Sequence, residues 1–350
     1  MNVNKFFSVF LNWEYWPIYM FYIPNVPYGI YLVLKSKKIV FFSAVNPAIK
    51  SSGNGTESKY DTVQLIPKKY RPKSVLIIPT DNFNKVLEYI KNEEIQFPLI
   101  VKPDVGFRGL LVKKISSEDE LRIYLDKYPI KIILQEFISY PNECGLFYYR
   151  LPNKENGKIT SITLKKFLTV KGDGISTISE LILHNDRAKI YYELLKEIHQ
   201  EKLNSVLEKD KNFLLNDIGN HVKGTQFISG NHLISSDLTR VIDTINMQID
   251  GWYYGRLDIK YDSIEGLERG EDFKILEING IISEPTHIYD STKYTYFQAL
   301  KILRNHWKII YEISKINRQL KQSNFTSTKE FLKEVRELKS YTDKVKKLSL

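Results

Sequence analysis

Two apolar runs, residues 253–259 and 273–278, set the strongest limit on the fold of this chain. Both have the composition of β-strands, and the polar segment between them is rich in Gly, Glu and Asp. Such a pattern is typical of two antiparallel neighbours joined by a long hairpin. We therefore expect these runs to lie side by side in one sheet.

Four polar residues follow the strand spacing of these runs. Because side chains on a strand alternate between its faces, Arg256 and Asp258 share one face, and so do Glu277 and Asn279. If the two faces coincide, a guanidinium, two carboxylates and a carboxamide meet. Oxygen ligands of this kind suit Mg²⁺, which is completed by waters and substrate phosphates. The sequence predicts Asp258, Glu277 and Asn279 as metal ligands; a hairpin with solvated outer charges is the alternative.

The motif R-x-D, followed about 20 residues later by E-x-N, resembles the metal-binding strands of the ATP-grasp superfamily. The likeness is closest to D-alanine–D-alanine ligases and other carboxylate–amine ligases. It implies an α/β (α+β) fold in which two α/β subdomains clamp ATP. Most ATP-grasp ligases carry a larger α/β domain at the N-terminal end; this chain departs from them, and we expect a short, mostly helical region there instead. The implied units are an apolar N-terminal region, a subdomain with a phosphate-binding flap, a subdomain with the metal site and a basic helical tail: residues 1–58, 59–138, 139–310 and 311–350.

Composition limits the setting. The 350 residues suffice for two or three compact units. The single cysteine, Cys144, rules out an intramolecular disulfide and fits a reducing cytosol. The net charge of +10 is spread along the chain without a nucleic-acid-binding motif, so we expect no nucleic-acid partner. No signal-peptide pattern is evident at the N-terminus, and we expect a cytoplasmic protein.

Residues 16–34 carry no charge, and their number is near that of a bilayer span. Pro24 and Pro27 would break one continuous helix. We expect two short apolar helices packed on the next domain. A helical hairpin on a membrane surface and a true span are the alternatives, because Lys35 and nearby lysines could lie at a lipid interface.

Residues 97–112 contain two strand-like runs around a loop with Gly106 and Gly109. Glycine lets backbone N–H groups approach a phosphate closely. Lys102 ends the first run, where its ammonium can reach the α- and β-phosphates. The run P-x-x-V-K-P and the hairpin resemble the ATP-grasp flap, in which Arg108 could also contact phosphate.

The same resemblance assigns further nucleotide contacts. In these ligases a lysine that opens a helix reaches the phosphates, and Lys59, about 43 residues before Lys102, has that spacing. The strand at residues 132–138 corresponds to the hinge beside adenine, and an acidic residue seven positions beyond Glu136 holds the ribose. The implied contacts are Gln135, Glu136, Phe137, Ile138 and Glu143. A strand end with solvated glutamates is the alternative.

Residues 170–182 contain a G-D-G turn and a helix start at Ser176 or Thr177, with Glu180 in the first turn. The segment resembles one in cyanophycin synthetases and favours peptide-bond formation, although a connecting turn would need no function. Residues 191–211 are predicted to be helical, and residues 220–225 resemble the strand before the metal pair. Substrate contacts are expected from Lys165, Lys166, His221, Lys223, Glu284 and His287.

The resemblance implies an ATP- and Mg²⁺-dependent carboxylate–amine ligase that forms an amide through an acyl phosphate and releases ADP and phosphate. Lys59 and Lys102 would hold the phosphates of ATP, beside two Mg²⁺ or Mn²⁺ ions. Arg256 and Lys102 would be catalytic, with Arg256 stabilising the transferred phosphoryl group. The substrates would be a small carboxylate and an amine, as in amino acids. A kinase-like phosphotransferase and a non-catalytic nucleotide-binding protein at a membrane remain alternatives, and the oligomeric state is open.

Overall fold

The strand-forming runs assemble into antiparallel sheets in the computed structural model, which describes residues 12–106, 109–216, 219, 221–323 and 325–348. The first sheet contains β1 (Ser74–Ile77), β2 (Leu99–Pro103), β3 (Lys113–Ile115) and β4 (Ile132–Glu136), in the order β1-β4-β2-β3. The second contains β5 (Asn142–Tyr149), β6 (Lys158–Lys166), β9 (Gln226–Ser229), β10 (Tyr254–Tyr261) and β11 (Phe273–Asn279), in the order β11-β10-β5-β6-β9. The third pairs β7 (Leu168–Lys171) with β8 (Asn212–Asn216).

Two amphipathic helices pack on the four-stranded sheet: α4 (Phe83–Asn92) and α5 (Glu118–Lys127). Asn82 and Ser117 cap their N-termini by accepting hydrogen bonds from the backbone three residues on. The apolar stripe of α4, including Val86 and Ile90, is buried against the strands. This packing fixes β2 and β4, the strands that carry the predicted nucleotide contacts.

The five-stranded sheet keeps its two faces chemically distinct. Leu257, Ile259 and Tyr261 of β10 face a core that is closed by α8 (Ser236–Asn246) and α9 (Ile264–Arg269). The alternating residues Arg256 and Asp258 therefore face the other way. Helix α9 lies in the segment that the sequence suggests is only a polar loop between the two strands.

The two-stranded sheet has a core of its own with α6 (Ile178–His184) and α7 (Tyr192–Ile198). Thr177 and Glu180 form a capping box at the start of α6. The helix predicted over residues 191–211 ends at the close of α7, and this prediction is wrong beyond it. The reason is tertiary: the carbonyl groups of Leu203 and Ser205 accept hydrogen bonds from the first turn of α6 instead of from a helix of their own.

The N-terminal region forms two short helices, α1 (Tyr19–Tyr22) and α2 (Val26–Ser36), which pack on the long helix α10 (Tyr296–Gln319). A 3₁₀ turn that contains Pro24 joins them, so the prolines interrupt the apolar run as the sequence predicts. Among the described residues, no helix has both the length and the apolar character that crossing a membrane requires.

The tail forms α11 (Thr328–Leu348), and it is not simply laid over the surface. Val345 is buried in the core of the four-stranded sheet. Near the other end of α11, the buried carboxylate of Glu334 accepts hydrogen bonds from Ser51 (2.7 Å) and Asn54 (3.2 Å). The tail thus ties the loop before α3 (Lys59–Gln64) to the four-stranded sheet.

Candidate functional site

A cavity of about 1290 Å³ lies between the four-stranded and the five-stranded sheets. Lys102 of β2 and Gln135 of β4 line one side of it. Asp258 of β10 and Glu277 of β11 line the other. The chemistry-bearing residues of two separate sheets therefore face one common space.

The register of β10 and β11 brings the four predicted polar residues together. Arg256 pairs with Asn279 and Asp258 with Glu277, directly across the strands. Residues opposite one another in an antiparallel pair point to the same face, and all four line the cavity. Arg256 donates two hydrogen bonds to Asp258, from Nε to Oδ1 (2.7 Å) and from Nη2 to Oδ2 (3.1 Å).

Cations surround these carboxylates. Burial by itself raises the pKa of Asp258, but the charges of Arg256 and Lys165 outweigh burial and lower the pKa to about 2. Lys165 lies 3.7 Å from Asp258 Oδ2 and donates a hydrogen bond of 2.6 Å to Glu143. Lys59 forms an ion pair with Glu277. Asp258 is therefore ionised throughout the neutral range.

The two predicted phosphate-binding lysines are held at the cavity by different elements. Lys59 is the first residue of α3, and its backbone N–H donates to the carbonyl of Asp104 (2.9 Å). Lys102 Nζ donates to Gln135 Oε1 (3.0 Å) and to the carbonyl of Leu276 (3.4 Å). Burial, and then the charge of Lys59, lower the pKa of Lys102 to about 7. Burial also lowers the pKa of Lys59.

The predicted hinge residues all lie on the cavity wall: Gln135, Glu136, Phe137, Ile138 and Glu143. A lysine that the sequence analysis missed, Lys260, donates a hydrogen bond of 3.1 Å to the carbonyl of Ile138 and also lines the cavity. Its signal was available, since Lys260 follows Asp258 at strand spacing and shares its face. Lys114 lies 4.1 Å from the centre of the Phe137 ring.

The predicted flap contributes Gly106 and Gly109 to the cavity wall. Gly109 has φ +71°, a conformation that favours glycine. The carbonyl of Gly109 accepts a hydrogen bond of 3.2 Å from Lys223 Nζ. Arg108, the remaining predicted contact in this loop, lies outside the described residues.

Of the six residues predicted to contact substrate, three line the cavity: Lys165, His221 and Glu284. Lys166 is exposed, because it alternates with Lys165 and projects from the other face of β6. Lys223 reaches the flap rather than the cavity. His287 is buried beside Tyr294, and burial lowers its pKa to about 4. Lys166, Lys223 and His287 therefore do not line the cavity, and substrate contact by these three residues stays a prediction.

The strand predicted at residues 220–225 is wrong over the part that the structure describes. His221–Lys223 is a 3₁₀ turn, and a strand begins only at Gln226, where β9 pairs with β6 at the edge of the sheet. Asn220 lies outside the described residues.

Sequence reasoning missed a cavity wall that the N-terminal region provides. Glu14, Tyr15 and Trp16 line the cavity. Glu14 is buried and accepts hydrogen bonds from Arg187 (2.7 Å) and His221 (3.0 Å). The one signal in the sequence was a solitary acidic residue in the aromatic run W-E-Y-W. The N-terminal region thereby shapes the cavity as well as covering α10.

A second carboxylate faces the same part of the cavity. Glu284 accepts hydrogen bonds from Tyr22 (2.5 Å) and Tyr289 (3.3 Å). Burial by itself lowers the pKa of Arg256, but Asp258 and, to a smaller extent, the charge of Glu284 raise it. The end of the cavity away from the hinge therefore combines a guanidinium with a carboxylate.

Asp258, Glu277 and Asn279 fit a hard divalent cation, because all three offer oxygen on one face. Within the described ranges, no cluster of three or more His, Cys, Asp or Glu side chains is placed to hold a metal, so the set depends on the amide oxygen of Asn279. The amide nitrogen of Asn279 is buried and has no hydrogen-bond partner among the described residues. No hydrogen bond from this nitrogen therefore fixes the orientation of the amide group.

Residues 56–148 match the family model of the RimK-like ATP-grasp domain. Similar solved structures include a bifunctional glutathione synthetase from Pasteurella multocida (13% identity, TM-score 0.38, 71% of this chain and 36% of that chain). Another is the VanG D-Ala:D-Ser ligase from Enterococcus faecalis (12% identity, TM-score 0.43, 74% of this chain and 64% of that chain). A third is a D-alanine–D-alanine ligase from Bacillus anthracis (13% identity, TM-score 0.41, 76% of this chain and 72% of that chain). The chain thus spans less than two thirds of the length of the first two.

No curated protein sequence is significantly similar to this chain. The matched segment contains α3, the predicted flap and the predicted hinge, and it runs into β5, which pairs with β10. Over residues 56–148 the chain therefore carries an ATP-grasp domain.

Proposed function

We propose that this protein is an ATP- and Mg²⁺-dependent carboxylate–amine ligase that forms an amide through an acyl phosphate and releases ADP and phosphate. One observation carries the proposal: Asp258 and Glu277 pair directly across β10 and β11 and face the same cavity as Lys59 and Lys102. These carboxylates would hold the metal and these ammonium groups the polyphosphate, all within one space.

The nucleotide would lie along the wall from the hinge to the flap. The backbone at Phe137 and Ile138 would contact the adenine, and Glu143 the ribose hydroxyls. Lys59 and Lys102 would hold the phosphates. The lowered pKa of Lys102 in the absence of ligand is consistent with this role, because a buried ammonium group gains most from an anionic partner.

Asp258, Glu277 and Asn279 would hold the two Mg²⁺, which would neutralise charge on the β- and γ-phosphates when bound. Arg256 is positioned by its two hydrogen bonds to Asp258. Its guanidinium would stabilise the charge that develops on the transferred phosphoryl group. Loss of one such donor typically costs on the order of 10²–10³ in rate.

The reaction would take two steps, phosphorylation of the carboxylate and attack by the amine. A carboxylate oxygen of the first substrate attacks the γ-phosphorus, and the bond from that phosphorus to the departing ADP oxygen breaks. The amine then attacks the acyl carbon, loses a proton and expels inorganic phosphate. The walls between the two sheets would exclude water, which otherwise hydrolyses the acyl phosphate.

The amine would enter from the end of the cavity that carries Glu284. The carboxylate of Glu284, held by Tyr22 and Tyr289, would balance the positive charge of the substrate ammonium group before that group loses its proton. The guanidinium of Arg256, which also lines the cavity, would balance the negative charge of the other substrate's carboxylate. The cavity would thus offer opposite charges to the reacting groups of the two substrates.

Purified protein with ATP, Mg²⁺ and an amino-acid pool should release ADP and phosphate and yield a new amide detectable by mass spectrometry. Asp258→Asn and Glu277→Gln should each abolish this turnover without loss of the fold. Asp237→Asn, at an exposed carboxylate on α8, is the matched control and should be fully active.

Three results would contradict the proposal. Near-normal turnover in both folded site variants would remove the metal assignment. Release of AMP and pyrophosphate would mean adenylation instead. A phosphate ester in place of an amide would identify a phosphotransferase.

A further inference from the structure

Helix α2 is apolar on two sides. One side, including Leu32 and the buried Asn25 just before the helix, packs against α10 and its surroundings. The other side presents Val26, Ile30 and Leu34 at helical spacing, and Ile23 in the preceding 3₁₀ turn continues the row; from Ile23 to Leu34 the exposed fractions are 62, 46, 55 and 71%. We call these four residues the apolar stripe. A continuous exposed aliphatic stripe on a surface helix marks an interaction site.

The chain segment that carries the apolar stripe has charges of one sign. Residues 15–56 contain no Asp or Glu. Lys35, Lys37 and Lys38 follow the stripe directly, and all three are exposed. The nearest acidic residue along the chain, Glu14, is buried and paired with Arg187. The surface therefore combines aliphatic side chains with three exposed lysines, of which Lys35 lies over the rings of Tyr31 and Tyr311 and within the field of Glu312 on α10.

We propose that the apolar stripe and its three lysines dock this protein on an anionic lipid bilayer. Helix α2 is too short to cross a membrane, but an amphipathic helix of this kind can lie in the interface with its apolar side among the acyl chains. Lysine side chains beside it reach the lipid phosphates. Tyr19 and Tyr31, which are also exposed, have the apolar ring and polar tip that suit an interface.

This docking surface adjoins the cavity. Pro17 and Ile18 are exposed just before α1 and also line the cavity wall. On the membrane, the wall built by the N-terminal region would therefore lie next to the lipid surface. The proposal does not depend on ligase activity, since it stands on the exposure and charge of the helices alone.

The test is flotation of the full-length protein with vesicles of phosphatidylcholine alone and of phosphatidylcholine with phosphatidylglycerol. The wild type should float with the anionic vesicles and much less with the neutral ones. The variant Ile23→Ser/Ile30→Ser/Leu34→Ser should bind at least tenfold more weakly. The matched control is Ile123→Ser/Ile175→Ser, which replaces exposed isoleucines outside the proposed docking surface and should bind vesicles as the wild type does.

The charge contribution is measured separately. Lys35→Gln/Lys37→Gln/Lys38→Gln should weaken binding to anionic vesicles on the order of 100-fold at low salt. Added salt should reduce this difference in affinity between the wild type and the variant. Circular dichroism of each variant confirms its folding. The variants replace exposed residues, so the fold should be kept.

The proposal is overturned if the wild type fails to float with anionic vesicles, or if the serine triple variant floats equally well. It is also overturned if sedimentation velocity shows a wild-type dimer that the serine variant converts to monomer without any vesicle binding. That result would assign the apolar stripe to a second copy of the chain.

Discussion

The charge of Lys102 should make ATP binding depend on pH. Its pKa of about 7 in the ligand-free protein arises from burial and from the nearby charge of Lys59. The phosphates of ATP would favour the charged form and raise the pKa again. Each ATP molecule that binds above neutral pH should therefore take up a proton at this side chain.

The size of the effect follows from the linkage of the two equilibria. If only the charged amine binds phosphate, the apparent Kd scales with 1 + 10^(pH − 7), which rises about 50-fold between pH 7 and pH 9. The sign is fixed because the ligand-free pKa is lowered: affinity is full below about pH 7 and falls as pH rises through it. Proton uptake should be about one half per ATP at pH 7 and close to one at pH 9.

Isothermal titration calorimetry in two buffers of different ionisation enthalpy measures both quantities. Lys102→Arg stays charged at every pH tested and should lose most of the pH dependence while still binding ATP. Burial also lowers the pKa of Lys59. Lys59→Arg is therefore the parallel variant, and it should keep the part of the pH dependence that comes from Lys102. A wild-type Kd that is constant from pH 7 to pH 9, or an unchanged slope in Lys102→Arg, would refute the reasoning.

Three further changes test the scaffold by urea denaturation. Gly280→Ala should destabilise the fold by about 1–3 kcal/mol or more, since its Cβ would overlap the carbonyl oxygen of Ser52; unchanged stability would disprove that close packing. Val345→Ala should cost about 1–3 kcal/mol and Val335→Ala, exposed on the same helix, almost nothing; equal effects would mean that the tail is not packed. Glu14→Gln should cost about 3 kcal/mol at pH 7. Because the pKa of Glu14 is lowered despite burial, its contribution should vanish as pH falls through that pKa, and a cost independent of pH would exclude the ion pair.

The hairpin that carries Asp258 and Glu277 could be predicted from the sequence because its information is local. Alternation with period two places Arg256 with Asp258 and Glu277 with Asn279, whatever the rest of the chain does. The pairing of β10 with β11 then brought the two sets onto one face. The same reasoning, applied once more, would have placed Lys166 on the face away from the cavity and Lys260 on the face toward it.

The N-terminal wall of the cavity could not be predicted, because its contacts join distant parts of the chain. Glu14 meets Arg187 and His221, which lie 173 and 207 residues away. No periodicity or motif records such a pairing. For the same reason the burial of His287 depends on how its 3₁₀ turn packs and not on its neighbours in sequence.

The end of α7 and the packing of the tail show the same limit. Residues 199–211 have a composition that a helix tolerates, yet their carbonyl groups cap α6 instead. Helix α11 is rich in lysine and was expected on the surface, but Val345 fills the core of a distant sheet. Local propensity is overridden in both places by contacts made elsewhere.

Metal and nucleotide should bind the site cooperatively, because its charges are already paired with one another. Arg256 is hydrogen-bonded to Asp258, and Lys59 is paired with Glu277. A polyphosphate alone would draw the cations away and leave buried carboxylates uncompensated, at a cost of several kcal/mol. When both ligands bind, the carboxylates bind the metal and the cationic side chains bind the phosphates. No buried charge is then left without a partner.

ATP affinity should therefore be at least tenfold higher in Mg²⁺ than in EDTA, and ATP should tighten Mg²⁺ binding by the same factor. The coupling should shrink in Glu277→Gln, which has no second carboxylate to strand. Equal ATP affinity with and without Mg²⁺ in the wild type would mean that the ion pairs of this site are not exchanged on binding, and the assignment of Asp258 and Glu277 as metal ligands would fail with it.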